Sequence, residues 1–397
     1  WGDGQTDLNV NDDITHTYST PGTYSVSITG VFPYFKTCKS ASGNNNCDNS
    51  SKLISVESWG DQEWRYMLGS FNGAENFMLN TTQVPDLSLV TSLRETFKGA
   101  ENFNADINSW DVSGVVDMQS MFLGANSFNQ QLNNWDISNV INLRNMFFLA
   151  SSFDQPLNNW DVSNVSVMAG MFTAATSFDQ PLNNWDVSNV DSMRFMFFDA
   201  KNFDQPLNNW DVSNVTNMSS MFVEVENFDK NLDSWDVSGV TNMNSMFSKA
   251  VSFNQSLNSW DVSNVTDIGR MFDNASSFNQ DISDWCVEQI PTLPNNFATN
   301  SPLQANFFPD WGATCNLGIA ENNLKEFKVY PNPAENKLNL FWSSVNFPDE
   351  MSLQIYSLNG KRVFSESYSQ RPSEINVSQL ASGVYLLKVN SGGQSAV

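Results

Sequence analysis

Only one histidine, His16, occurs in this chain of 397 residues, so neither a Ser-His-Asp triad nor a histidine-bound metal site can be assembled from its central part. Basic side chains are scarce too: 19 against 43 acidic ones, a formal charge of −24. Nucleic acid needs a basic face, and an anionic membrane surface is an equally poor partner. No run approaches the roughly 20 apolar residues of a membrane helix, so no transmembrane segment is expected. The four cysteines, Cys38, Cys47, Cys286 and Cys315, contain no CxxC pair, which argues against a Cys₄ zinc site. Pairing by proximity, Cys38–Cys47 and Cys286–Cys315, closes two short loops and suits an oxidising compartment. The chain opens at Trp1 without a signal peptide, which reads as a processed or truncated product.

What the sequence has in abundance is repetition. Tryptophan recurs every 25 residues at Trp110, Trp135, Trp160, Trp185, Trp210, Trp235, Trp260 and Trp285, and its neighbours repeat with it. Two degenerate copies precede these, one with Pro85 in the tryptophan position and one around Trp59, Met67, Phe71, Ala74 and Phe77. About nine coils result, the outermost atypical as capping coils are. Within a copy, Leu157, Trp160 and Val162 suit a short strand with one buried face. Val165, Met168, Met171, Phe172 and Ala175 fall at helical spacing and predict a short helix. A strand and a helix in 25 residues resemble the leucine-rich repeat, so the expected fold is a right-handed β/α solenoid.

Exchange patterns between copies predict local geometry. Four residues after tryptophan stand Asn139, Asn164, Asn189, Asn214 and Asn264, but Gly114 and Gly239, which predicts a positive φ. Six residues before it, Asp and Asn alternate (Asp154, Asp179, Asn254, Asn279), as in an Asx turn. The residue after tryptophan is aspartate in seven copies, Asp111 to Asp261, and these carboxylates should line the outer face, where like charges repel. Either the serines two residues on, such as Ser163 and Ser188, and the turn amides offset that repulsion, or Asp136, Asp161, Asp186 and Asp211 are calcium ligands. Arg144, Phe148, Arg194, Phe195, Phe198 and Glu224 vary between copies, and solenoids place binding specificity on such positions. Phe148, Phe195 and Phe198 would form an exposed apolar patch or pack against the neighbouring helix.

Three resemblances add to this. Trp1-Gly-Asp-Gly with His16-Thr-Tyr and Pro21-Gly-Thr-Tyr-Ser-Val-Ser-Ile28 resembles part of a polycystic-kidney-disease-type (PKD-like) β-domain, expected over residues 1–55. The string Leu207–Phe222, LNNWDVSNVTNMSSMF, is similar to the BspA-like surface proteins, whose repeats would span residues 56–315 and close with a cap between Cys286 and Cys315. That resemblance implies an extracellular adhesion protein with an unknown protein or glycan ligand.

After a polar linker at 316–323 the period stops. Tyr330-Pro331-Asn332-Pro333, Asn359-Gly360-Lys361 and Gly383-Val384-Tyr385 then follow in order, resembling the C-terminal sorting domain of type IX secretion substrates in Bacteroidetes. Residues 324–397 are thereby expected to form a β-sandwich recognised by outer-membrane secretion machinery, and the protein to reach the cell surface or medium. The expected protein is a non-catalytic adhesin needing no cofactor. Its rivals are a cargo whose main partner is the translocon and a carbohydrate-active enzyme using two carboxylates.

Overall fold

In a computed structural model of the chain, residues 1–8, 14–30, 32, 34–37, 39–41, 44–46, 50–314, 327–331, 336–342, 351–357, 362–370, 372–391 and 394–396 are described. The 25-residue copies stack as parallel coils. One residue per coil, seven after the tryptophan, bridges its counterpart: Ser92 to Asp117, then Asn142, Val167, Ser192, Asn217, Asn242 and Asp267. Each coil turns its apolar residues inward, so that Leu157, Trp160, Val162, Val165, Met168, Met171, Phe172, Ala175 and Phe178 are all buried.

The helix predicted over Val165–Ala175 does not form, and the β/α solenoid is corrected: no α-helix occurs among the described residues. The segment is a chain of tight turns. Amides of Met171, Thr173, Ala175 and Phe178 donate to carbonyls three residues back, at Met168, Gly170, Phe172 and Ala175. The intervening amides leave the coil: Gly170, Phe172 and Ala174 donate to Arg194, Met196 and Phe198 of the next copy. Amides therefore alternate between their own turn and the neighbouring coil, and the backbone is satisfied without a helix. Such a ladder needs left-handed residues at ten and fourteen positions after tryptophan. Glycine supplies some, Gly170 and Gly124, but Asn145, Leu149, Phe195, Asp199, Arg270 and Asn274 adopt φ between 53° and 60° there. The residues four after tryptophan, where positive φ was expected, do not adopt it. Their asparagines serve the stack instead, Asn164 Nδ2 donating to the Ser138 carbonyl of the preceding coil at 2.8 Å.

Three aromatic columns run through the core. Phe97, Phe122, Phe147, Phe172, Phe197, Phe222, Phe247 and Phe272 stack nearly parallel at 5.5–5.9 Å between centroids. A second phenylalanine column, containing Phe153, Phe178 and Phe203, stands against it, with Phe172 and Phe178 only 4.0 Å apart. The third column is tryptophan, and each indole is tied to the coil before it: Trp160 Nε1 donates to the Leu132 carbonyl at 3.0 Å, Trp185 to Leu157 and Trp210 to Leu182. The expected Asx turn at Asp154 proves to be another tie between coils, its Oδ1 accepting the Asp179 amide and Gln180 Nε2.

Toward the N-terminus, β1 (Lys39–Ala41) pairs with β2 (Asn44–Asn46), and β3 (Ser55–Val56) pairs in parallel with β4 (Met78–Leu79). Phe32, Phe35 and Leu53 pack on the core of the stack. The alternating segment Pro21–Ile28 of the PKD-like resemblance forms no strand, and none occurs in residues 1–8 or 14–30. An alternating segment becomes a strand only beside a partner that takes its amides. Here the rings fold on each other instead: Trp1 stacks on His16 at 4.7 Å, His16 meets the edge of Tyr18, and Tyr18 stacks on Tyr24.

The C-terminal part is β structure. Strands β5 (Phe327–Tyr330), β6 (Lys337–Trp342) and β9 (Glu374–Asn376) form one antiparallel sheet in the order β5-β6-β9. Strands β7 (Met351–Ser357), β8 (Arg362–Tyr368), β10 (Tyr385–Ser391) and β11 (Gln394–Ala396) form another in the order β11-β10-β7-β8. The two share one core of Leu340, Leu353, Ile355, Ile375, Val377 and Val389.

Far-UV circular dichroism of the whole chain is expected to lack the α-helical double minimum; its presence at the strength of one helix per coil would contradict the turn ladder. Phe172→Ala, which opens a gap in one column between two others, is expected to cost about 3–5 kcal/mol in denaturant unfolding.

Candidate functional site

The aspartates after tryptophan lie on the outside of the stack, exposed or half-exposed. Each turns back on its own coil. Asp136, Asp161, Asp186 and Asp211 accept the amide of the serine two residues on at 3.0–3.1 Å and its hydroxyl at 2.6 Å. The serine hydroxyl first, and its amide second, hold Asp111, Asp136 and Asp161 below the ordinary carboxylate range, with a smaller opposing push from burial. Two donors per carboxylate thus offset the repulsion along the column. Among the described residues, no group of three or more acidic, histidine or cysteine side chains is arranged to hold a metal ion.

The variable positions occupy the outside of the turn ladder, nine, ten, thirteen and fourteen residues after tryptophan. Their backbone atoms belong to the ladder; small side chains such as Ser120, Thr173 and Ser248 are buried there, while the larger arginines and phenylalanines reach solvent. Arg194 lies over the ring of Phe195 at 4.5 Å, and Phe195 meets Phe198 edge to face at 5.7 Å. Arg144 and Leu149 are exposed, while Phe148, Phe195 and Phe198 are half-buried. With no neighbouring helix to cover them, these phenylalanines show a face to solvent. Phe148 belongs to the Trp135 coil and Phe195 and Phe198 to the Trp185 coil, so they flank the Trp160 coil rather than adjoin. That middle coil carries Ala169, Gly170, Thr173 and Ala174 at the four positions, small residues that reading for charge and aromatics passed over. The signal was present as the one copy with no large side chain at any of them.

Further along, the same positions turn charged. Lys201 Nζ lies 3.2 Å from Glu226 and 3.7 Å from Asp199, and Lys249 pairs with Glu224. Burial raises the Asp199 carboxyl above its ordinary range against the opposing pull of Lys201. A shallow depression of about 520 Å³ opens here, lined by Glu224, Glu226, Lys249, Val251 and Asn274.

The remaining expected sites fall at the ends. His16 Nε2 lies 2.8 Å from Asp3 Oδ2 while its ring is covered by Trp1 and Tyr18. Cys286 is disulfide-bonded; Cys38, Cys47 and Cys315 lie outside the described residues. Tyr330 ends β5, Val384 is exposed, and Tyr385 opens β10 with its hydroxyl donating to the Ala381 carbonyl at 2.7 Å. The close approach at Gly383 is to this same Tyr385 ring, 3.5 Å from where a Cβ would stand. Asn332, Pro333, Asn359, Gly360 and Lys361 lie outside the described residues.

Comparison with known families gives two matches. The family described as "Mycoplasma protein of unknown function, DUF285" matches residues 40–147, 65–175, 131–223 and 205–311, which together cover the stack. The family described as "Secretion system C-terminal sorting domain" matches residues 328–397. No curated protein and no solved structure matches the chain. The second match makes this a secreted or cell-surface protein, handled by the type IX secretion machinery. Among the described residues, no helix is long and apolar enough to cross a membrane.

Lowered carboxyl pKa values favour the folded state above the ordinary aspartate value, and that contribution disappears as pH falls through the lower folded values. Melting temperature is therefore expected to drop below about pH 4. Ser163→Ala, which returns Asp161 toward its ordinary range, should cost under about 1 kcal/mol at neutral pH and shift the onset of that drop upward. A melting temperature flat down to strong acid would contradict this role.

Proposed function

From the premise that the chain belongs to the DUF285 family and ends in a secretion-system sorting domain, we propose that the stack is a non-catalytic binding module that attaches to a ligand at the cell surface. The observation that carries this reading is the division of labour in each coil. Inward positions stay apolar and exchange only among similar residues from copy to copy, whereas the outward positions of the turn ladder change from arginine and phenylalanine to small residues to lysine and glutamate. A scaffold alone has no reason to differentiate one face. The BspA-like resemblance of the WDVSNV strings supports adhesion as the use of that face. The lone histidine supports the non-catalytic half, because His16 is already engaged by Asp3, Trp1 and Tyr18.

Two expectations test it. The purified full chain should bind saturably to at least one immobilised class among extracellular-matrix proteins and surface glycans, without turning it over. Failure on every class, or glycan cleavage abolished by one carboxylate substitution, would overturn the adhesion reading. Separately, a soluble reporter fused to residues 324–397 should leave cells with an intact type IX apparatus and stay inside cells lacking it; retention in both would leave the C-terminal β region without its assigned role.

A further inference from the structure

Among 43 carboxylates, an arginine without an acidic partner is conspicuous; of those the described stack exposes, Arg65, Arg144, Arg194 and Arg270, only Arg144 and Arg194 share one ladder position. Both are exposed and occupy the same position two coils apart; among the described residues neither takes part in an ion pair, and the Arg194 guanidinium lies over the Phe195 ring at 4.5 Å. Between them lies the coil with Ala169, Gly170 and Ala174, and beside them stand the half-exposed rings of Phe148, Phe195 and Phe198. Adjacent paired strands lie about 4.8 Å apart, so the backbones that carry the two arginines stand about 10 Å apart along the stack. That span is about the length of one disaccharide.

We propose that this arginine–phenylalanine face binds a carboxylated glycan, with one uronate carboxylate on each of Arg144 and Arg194 and the intervening sugar rings against the phenyl faces. A guanidinium fork matches a carboxylate with two parallel hydrogen bonds, and this is the donor that planar anion recognition favours. An extended peptide fits less well. It docks on a sheet edge through main-chain bonds, and here the amides of Met171, Phe172, Thr173, Ala174 and Ala175 are already committed to turns or to the next coil. Recognition must then come from side chains, and those present are two guanidinium forks, of which that of Arg194 lies over the Phe195 ring, and the half-buried rings of Phe148 and Phe198. The nearest carboxylate on the same positions, Asp199, is drawn to Lys201 on the far side of the Trp185 coil. The strong negative charge elsewhere disfavours other registers for an anionic chain.

The inference rests on the binding-module reading and names its ligand class and site. The test is calorimetric titration of the full chain with oligogalacturonate, with its neutral methyl ester, and with an oligoglutamate peptide. The acid oligosaccharide should bind, and the ester should bind at least about tenfold more weakly. Arg144→Gln and Arg194→Gln should each lower affinity about tenfold, the loss of one charge-assisted contact. Phe195→Ser should weaken both saccharides. These variants place residues that other coils already carry at the same positions, Gln119 and Ser220, so unchanged melting temperatures are expected alongside. Equal binding of acid and ester, indifference to the arginine substitutions, or preference for oligoglutamate each overturns the proposal. If the natural chain binds another surface ligand but not the acid oligosaccharide, the adhesion reading stands while this site falls. If the natural chain binds nothing, both fall.

Discussion

Half of the amides between Met168 and Ala175 have no acceptor within their own coil. They reach a carbonyl only when the next copy is in place, and the indoles from Trp135 to Trp285 depend likewise on an acceptor in the copy before. A single copy could neither satisfy its backbone nor bury its phenylalanines, whose flat faces are covered by the equivalent rings above and below. Stability therefore belongs to the interfaces between coils, as expected of quasi-one-dimensional architectures. The left-handed residues follow from this dependence. Placing Phe195 or Leu149 at positive φ costs on the order of 1–2 kcal/mol each, and the structure holds them there because their amides are claimed by the neighbouring coil.

The same dependence explains which features were legible in the sequence. Period and inward residues were readable, because burial keeps an apolar residue at each inward position. The helix was not readable as absent. Turns closed by three-residue hydrogen bonds put apolar residues three apart, at Met168 and Met171, or Phe172 and Ala175, and this imitates helical spacing. Glycine would have betrayed the left-handed positions, but most copies replace it, since tertiary ties enforce the conformation. Asparagine four residues after tryptophan misled for the opposite reason: it exchanges with glycine, yet its side chain is kept as a donor to the preceding coil. At the N-terminus the alternating segment Pro21–Ile28 suggested a strand, though among the described residues it pairs with none.

Separating backbone duty from side-chain duty is what leaves the outer ladder free to vary. Positions such as 194, 195 and 198 contribute amides or carbonyls to the stack whatever their side chains are. A change there alters charge and shape without opening the core, whereas a change at Phe172 or Trp160 disturbs three coils together. The aspartate column is constant by contrast because its carboxylates cap the serine turns. Sequence variation on this fold is thus a reading of surface chemistry, and it concentrates where Arg144 and Arg194 stand.

A stack held together by its faces must also stop. Through the middle, successive rings lie nearly parallel, at 5° between Phe172 and Phe197. At both ends the angle turns to a right angle: Phe272 meets Phe297 at 86°, and Trp59 meets Trp64 at 89° and Trp110 at 85°. An edge-on ring covers the last aromatic face without offering a matching face to another coil. Phe308 and Trp311 lie edge-on to Phe297 in the same way, and Phe32 and Phe35 tilt over the first coils. The first coils also pay for their place, since Trp59 and Trp64 bury indole nitrogens that meet no acceptor. Closing the ends this way prevents the open aromatic and amide rows from templating another chain, a hazard that unprotected edges carry.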